Sequence, residues 1–296
     1  MSALDLEFQT EAKLRSSVRI VALVIAAAPI VFAQSGAPAI NPGGIENQGN
    51  FKAGESVAAG SFVAIFGSNF AAAVTLADSV PLSTSLANVG VTFNNVPAPL
   101  VAVGQSQINA QVPWNVLSNG ATSGTAQVIV TRGSASSTPA SVNIVPVAPG
   151  LMQLTGTPDT TGVLRPVAYN NSDSTLALPA NAYPNSGLPV RPTSISNDAL
   201  VLLATGLGAV TFTPPNGSPP VVNGQFKESD TVAMPVVLVG GKQANVKFSG
   251  LSPQYPSLYQ LNLTLDPSTP TGNAIPVVIQ MNGLQSRPDL MIAVTN

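Results

Sequence analysis

The residues of this chain that could carry chemistry are few, and each group is incomplete. The 296 residues include no His and no Cys. That excludes Ser-His-Asp and Cys-His catalysis, thiolate zinc, haem held by His and iron–sulfur ligation together. Asp159-Thr160-Thr161-Gly162 has one residue more than the D-T-G of paired-aspartate hydrolysis, and no second copy exists to share the proton; it reads as a turn. In Asn171, Asp173 and Thr175, alternating oxygens could line a calcium loop, but the following Gly and a late bidentate Glu are missing. Glu228 and Asp230 fall on one side of an extended run, a pair that could suit glycoside hydrolysis but reads first as a solvated edge. Lys52, Lys227, Lys242 and Lys247 lie in no S-x-x-K spacing for a Ser-Lys dyad.

Gly206-Leu207-Gly208 lacks the third Gly of a dinucleotide loop. Thr213-Pro214-Pro215 follows where a phosphate-binding helix should start, so the segment reads as a strand-end turn. Trp114, Tyr169, Tyr183, Tyr255 and Tyr259 stand in or near expected loops beside Asn and Gln, the pairing a sugar-binding face needs. The competing reading puts Trp114 over the core between two units and buries Tyr259 with its hydroxyl satisfied. Asn109 and Asn262 recur at one repeat position inside strands and read as structural amides bonded to a neighbouring loop. Glu55, Asp78, Asp198 and Asp266 would have to be gathered by folding alone to form an oxygen-only metal site, and their spacing gives no sign of it. The expectation is therefore no catalytic, cofactor-binding or metal-binding residue, no cofactor, and no enzyme.

The elements around these residues are strands. Charged residues make up 8% of the chain, hydrophobic residues 45%, with 25 Gly, 27 Pro and a net charge of −2. Such a chain buries enough apolar surface to fold, and it offers no broad field to attract nucleic acid. Lys13, Arg15 and Arg19 precede the apolar run Ile20 to Phe32, and Val31-Phe32-Ala33 ends it with a signal-peptidase pattern. Residues 1–33 thus read as a signal peptide cleaved after Ala33, with an uncleaved anchor as the competing reading. A secreted or cell-surface location follows. With no cysteine, burial alone must hold the exported fold.

Residues 34–55, rich in Gly, Asn and Pro, read as a flexible arm. Strands are expected from Gly60 onward, with Thr125–Arg132 strictly alternating and Ala126, Val128 and Val130 on the buried face. The second half repeats the first. Val91–Ala98 (VTFNNVPA) lies over Val237–Ala244 (VLVGGKQA), Gln107–Val112 over Gln260–Leu265, and Ser137-Thr138-Pro139 over Ser286-Arg287-Pro288; Phe62–Phe66 corresponds to Leu200–Ala204. Two sandwiches are expected, 56–147 and 197–296. Residues 148–196 form a connecting segment packed on the second, with a strand at Val163–Tyr169.

Residues 60–70 (GSFVAIFGSNF), 91–113 and 124–133 resemble the IPT/TIG class of immunoglobulin-like domain. The span 40–296 also resembles the Solibacter-type uncharacterised C-terminal domain family. The stretches that carry this are Gly43-Gly44-Ile45, Gln107-Ile108-Asn109, Val147-Ala148-Pro149-Gly150-Leu151, Ala204-Thr205-Gly206-Leu207-Gly208 and Leu258-Tyr259-Gln260-Leu261-Asn262. The resemblance implies secreted or surface proteins of soil bacteria and no reaction. The fold expected is all-β, two tandem immunoglobulin-like sandwiches with an elaborated connection. The function expected is a non-catalytic structural, adhesive or scaffold module, with a carbohydrate-binding module or a carboxylate-based glycosidase as alternatives. Its partners would be an extracellular polymer, another protein or a second copy, not nucleic acid.

Overall fold

The computed structural model describes residues 36–184 and 186–296. The signal peptide and cleavage site expected from the sequence lie outside the described residues. The described chain is all-β, and no helix occurs in it.

Each half builds a two-sheet sandwich with the same order of central strands. In the first, one sheet runs Ala39–Asn47, Phe62–Ser68, Gln107–Gln111, Leu100–Val103, Thr75–Leu76; the other runs Val57–Ala58, Ala140–Val145, Gly124–Arg132, Val89–Phe93, Ser85–Leu86. In the second, Leu200–Thr205, Tyr259–Thr264 and Asn245–Leu251 take the places of Phe62–Ser68, Gln107–Gln111 and Leu100–Val103. Val236–Val239, Gly272–Met281 and Met291–Thr295 complete the facing sheet. Even the parallel edge pairing recurs: Val57 faces Ile144 in one unit and Thr193 faces Val294 in the other.

The repeat extends to single side chains and turns. Ser137 Oγ accepts the Val130 N–H and Ser286 Oγ accepts the Ile279 N–H, both at 3.0 Å. Asn94-Asn95 and Gly240-Gly241 form matching turns with positive φ at both positions, which only Gly and, at some cost, Asn tolerate well.

Among the described residues there are three cores rather than two. One lies inside the first sandwich around Val63, Ile65, Phe93, Leu100 and Val128; another lies inside the second around Leu202, Tyr259, Leu261 and Val277. The third packs Phe62, Leu82 and Val101 of the first unit against Tyr169, Val201, Leu203 and Leu258 of the second. One sheet of each sandwich is therefore buried on both faces. That is why Phe62–Ile65 and Leu200–Thr205 are buried at every position while Gly124–Arg132, with a wet face, alternates.

Two expectations need correction. The stretch read as an arm is the nine-residue strand Ala39–Asn47, antiparallel to Phe62–Ser68, with Ile45, Asn47 and Gln48 buried. A register shift between Ile40 and Ile45, across Pro42-Gly43-Gly44, hid its alternation. The connecting segment does more than pack on the second unit. Its short strands at Gly150–Leu151, Ala168–Asn170, Leu176–Ala177, Val190–Arg191 and Thr193–Ser194 are members of that unit's two sheets, and Val147 already belongs to its core. The expected strand at Val163–Tyr169 is shorter and later, because Leu164 and Pro166 make only isolated bridges.

Candidate functional site

Stretches that carry the sequence resemblance, 147–151 and 204–208 among them, meet where the two sandwiches join, together with Trp114, Tyr169, Tyr183 and Tyr255. Phe62 N–H donates to Thr205 Oγ1 at 2.8 Å. Asn47 Nδ2 donates to the Ala148 carbonyl at 2.6 Å, Gln153 Nε2 to that of Gly49 at 3.1 Å, and Arg287 Nη1 to that of Asn50 at 3.2 Å. Gly49 and Gly150 bring their backbones together so closely that a Cβ on Gly49 would lie 2.5 Å from Gly150 C. Gly206, at φ +74°, leaves no room either, since a Cβ there would be 2.0 Å from the Ala148 oxygen. Gly206 and Gly208 thus shape a turn around the connecting segment, and no helix follows them to bind phosphate.

On the far side of the junction, residues 212–218 cross from the second unit onto the first. Leu82 N–H donates to Gly217 O at 2.8 Å, Gly217 N–H to Gln111 Oε1 at 2.6 Å, and Trp114 N–H to Asn216 Oδ1 at 2.8 Å. Trp114 itself packs against the core of the second sandwich. Its Nε1, with Asn109 Nδ2 and Gln111 Nε2, has no protein partner among the described residues.

The Trp and Tyr side chains lie against the cores: Tyr169 and Tyr259 are buried, and Trp114, Tyr183 and Tyr255 are half-buried. Tyr259 is fully buried and its hydroxyl donates to the Gly208 carbonyl; burial holds the phenol far above its usual range. Tyr169 lies in a strand, not a loop, and joins Tyr183 and Tyr255 in the layer between the sandwiches. Tyr183 OH is 3.3 Å from Thr155 Oγ1. The five rings therefore do not form an exposed row.

Asn109 and Asn262 also differ from expectation. Each accepts through Oδ1 from a Gln two residues earlier on its own strand, Gln107 Nε2 and Gln260 Nε2, both at 2.8 Å. Residues i and i+2 of a strand share a face, so the amides ladder along the sheet instead of reaching a loop.

The acids are spent on structure. Asp159 accepts from Thr161 N–H at 2.8 Å and from Arg165 Nε at 2.7 Å, and both side chains of the pair are buried. Arg165 Nη1 donates in turn to the carbonyls of Asn273 and Met291. Burial pushes the Asp159 carboxyl up, but the hydrogen bonds from Thr161 and Arg165 outweigh it and hold the group below its ordinary value. Asp173 is engaged too: one carboxylate oxygen accepts from Thr175 Oγ1 at 2.6 Å and the other from Arg191 Nε at 2.6 Å. Arg191 also grips Asp198, whose carboxyl the guanidinium lowers to about 2.

Glu55 accepts from Asn50 Nδ2 at 3.3 Å, and burial raises its carboxyl. Asp266 accepts from Ser268 at the surface, and Asp78 is exposed. Glu228 is exposed while Asp230 lies at the start of a bridge to Gly250. The four lysines named above are exposed. Among the described residues no three acidic side chains come together to hold a metal ion. The open groove beside Met234, Pro235, Gln243 and Val246, about 370 Å³, contains no acid, base or nucleophile.

The first sandwich, residues 51–144, matches the IPT/TIG domain family. No curated protein matches the chain. Among solved structures, domains 5–6 of the S-layer protein SbsC align with 88% of this chain and 99% of that one at 15% identity, with a TM-score of 0.27.

Proposed function

We propose that the chain is a non-catalytic β-sandwich module with a structural, adhesive or scaffold role outside the cell. The observation that carries this reading is the layer between the sandwiches. Side chains that could have lined a cleft, Tyr169, Tyr183 and Tyr255 among them, fill a third core instead. Two sandwiches joined through a shared apolar layer suit load and lateral contact better than turnover. The IPT/TIG match of the first unit supports a module of this kind. The basic and apolar pattern before Ala33, and the resemblance of 40–296 to the Solibacter-type family, support export to the surface.

Polysaccharide binding draws less support, because the rings it would use are packed inside. The glycosidase reading draws less support too: of its candidate pair, Glu228 is exposed and Asp230 sits in a bridge to Gly250, while Asp159, Asp173 and Asp198 are held by arginines.

Antibody labelling of intact producing cells tests the location, and a panel of ester, peptide and glycoside substrates tests the chemistry. Labelling without permeabilisation is expected, with no turnover above a heat-denatured sample. Protein confined to the cytoplasm, or turnover abolished by replacing one carboxylate, would overturn the reading.

A further inference from the structure

A hairpin projects from the strap that crosses the junction. Val221–Val222 pairs with Gln225–Phe226 through Asn223-Gly224, at φ +52° and +75°, a type I′ turn. Among the described residues it pairs with no other strand, and all eight residues from Val221 to Glu228 are exposed. Val221, Val222 and Phe226 keep 39, 43 and 43% of their surface in solvent. Two strands with unburied apolar side chains are marginal in water, and a third or fourth strand would stabilise them.

The two edges of the hairpin are not equivalent. On the first strand, Pro219 and Pro220 carry no N–H, and the Val221 N–H is already donated to the Pro219 carbonyl at 2.8 Å. That edge cannot accept a partner strand. On the second, Lys227 N–H donates inward to Pro220 O at 2.8 Å, so by alternation the N–H and C=O of Phe226 point outward and are free to pair.

We propose that this edge pairs with the same edge of a second copy of the chain, antiparallel about a two-fold axis at Phe226. Phe226 then faces its mate directly, Gln225 faces Lys227, and Gly224 faces Glu228. Val221 is opposite Phe226 within each hairpin and so shares its face. The four-stranded sheet carries an unbroken stripe of Val221, Phe226, and the second copy's Phe226 and Val221. Of the two neighbouring registers, one sets Lys227 against Lys227, and like charges directly opposite are unfavourable; the other sets Gln225 against Gln225 and Phe226 against Gly224, which breaks the apolar stripe. Charge disfavours the first alternative and lost apolar contact the second, which leaves the register with Phe226 on the axis.

Strands this short bury less than the roughly 1,200 Å² of a stable interface, so the association is weak and favoured by crowding. A single two-fold contact closes a dimer and does not by itself build a lattice. This pairing is independent of where the protein resides: a monomeric protein could still be a surface module, and labelling of cells tests that separately.

The chain has no cysteine, so Phe226→Cys gives a single-cysteine protein. At the proposed register the two Cα atoms lie about 5.5 Å apart, within disulfide reach. In Val222→Cys they lie about three strand spacings apart, roughly 14 Å, out of reach. Mild oxidation should link Phe226→Cys into dimers and leave Val222→Cys monomeric. Analytical ultracentrifugation of the purified protein should show a mass that rises towards the dimer in the millimolar range. Phe226→Glu should remain a monomer with an unchanged thermal melt. A wild-type monomer at every concentration, a Phe226→Glu variant that dimerises as well as wild type, or equal cross-linking at both positions would each overturn the pairing.

Discussion

The backbone N–H of Phe62 donates to the side-chain oxygen of Thr205, 143 residues away, and this bond stitches the inner sheets of the two sandwiches together. Both groups are buried. Thr205→Val keeps the shape but leaves the Phe62 N–H without an acceptor, at a cost of about 1–3 kcal/mol. In a protein of this size each kcal/mol lowers Tm by about 2–4 °C. Thermal melts should therefore show a drop of several degrees for Thr205→Val and a smaller one for Thr205→Ser, which keeps the oxygen. Equal melts for Thr205→Val and wild type would show that the bond contributes nothing.

Val128→Asp should unfold the first sandwich and Gln127→Asp should not. Val128 is fully buried in that core, whereas Gln127 is exposed and donates to Ser141 Oγ on the wet face. An unpaired carboxylate in the core is far more costly than one in water. Circular dichroism melts of the two variants give the comparison, and similar midpoints would contradict the register of Gly124–Arg132.

Stability should fall at acid pH through Asp198. Its carboxyl is lowered to about 2 by Arg191, from an ordinary value of 3.8. A group depressed in the folded state stabilises fully above its unfolded pKa, and that contribution is lost as pH falls through the folded value. The loss attributable to this group should run between about pH 4 and pH 2. Asp198→Asn should be less stable at neutral pH and should flatten that limb of the stability curve. A variant with the same limb as wild type would assign the acid sensitivity to other carboxylates.

The sequence disclosed the repeat because each unit must solve the same packing problem, and Val91–Ala98 and Val237–Ala244 keep the same turn and strand. The runs Phe62–Ile65 and Leu200–Ala204 also carried a signal that their alternating neighbours did not. Strands apolar at every position belong to sheets buried on both faces, which implies that the sandwiches stack. The strand Ala39–Asn47 was illegible because Pro42, Gly43 and Gly44 interrupt its period. The Asp159–Arg165 pair was illegible for another reason. Its burial depends on Asn273 and Met291, more than a hundred residues away, and local spacing holds no trace of them. The Gln107–Asn109 and Gln260–Asn262 ladders could have been found, since an i, i+2 pair of amides on one strand repeats in both halves.

Removing one member of the Asp159–Arg165 pair should be far more damaging than its sequence context suggests. The carboxylate satisfies Thr161 and Val163 N–H as well as Arg165, and Arg165 ties the connecting segment to the last two long strands through Asn273 and Met291. Asp159→Ala leaves a buried guanidinium without its counter-charge, which costs about 3–5 kcal/mol. Arg165→Met instead leaves the carboxylate its three hydrogen bonds from Thr161 and Val163 and fills much of the same volume. The expected order of stability by urea unfolding is wild type, then Arg165→Met, then Asp159→Ala. If Asp159→Ala unfolds at the same urea concentration as wild type, the pair does not anchor the connecting segment to those strands.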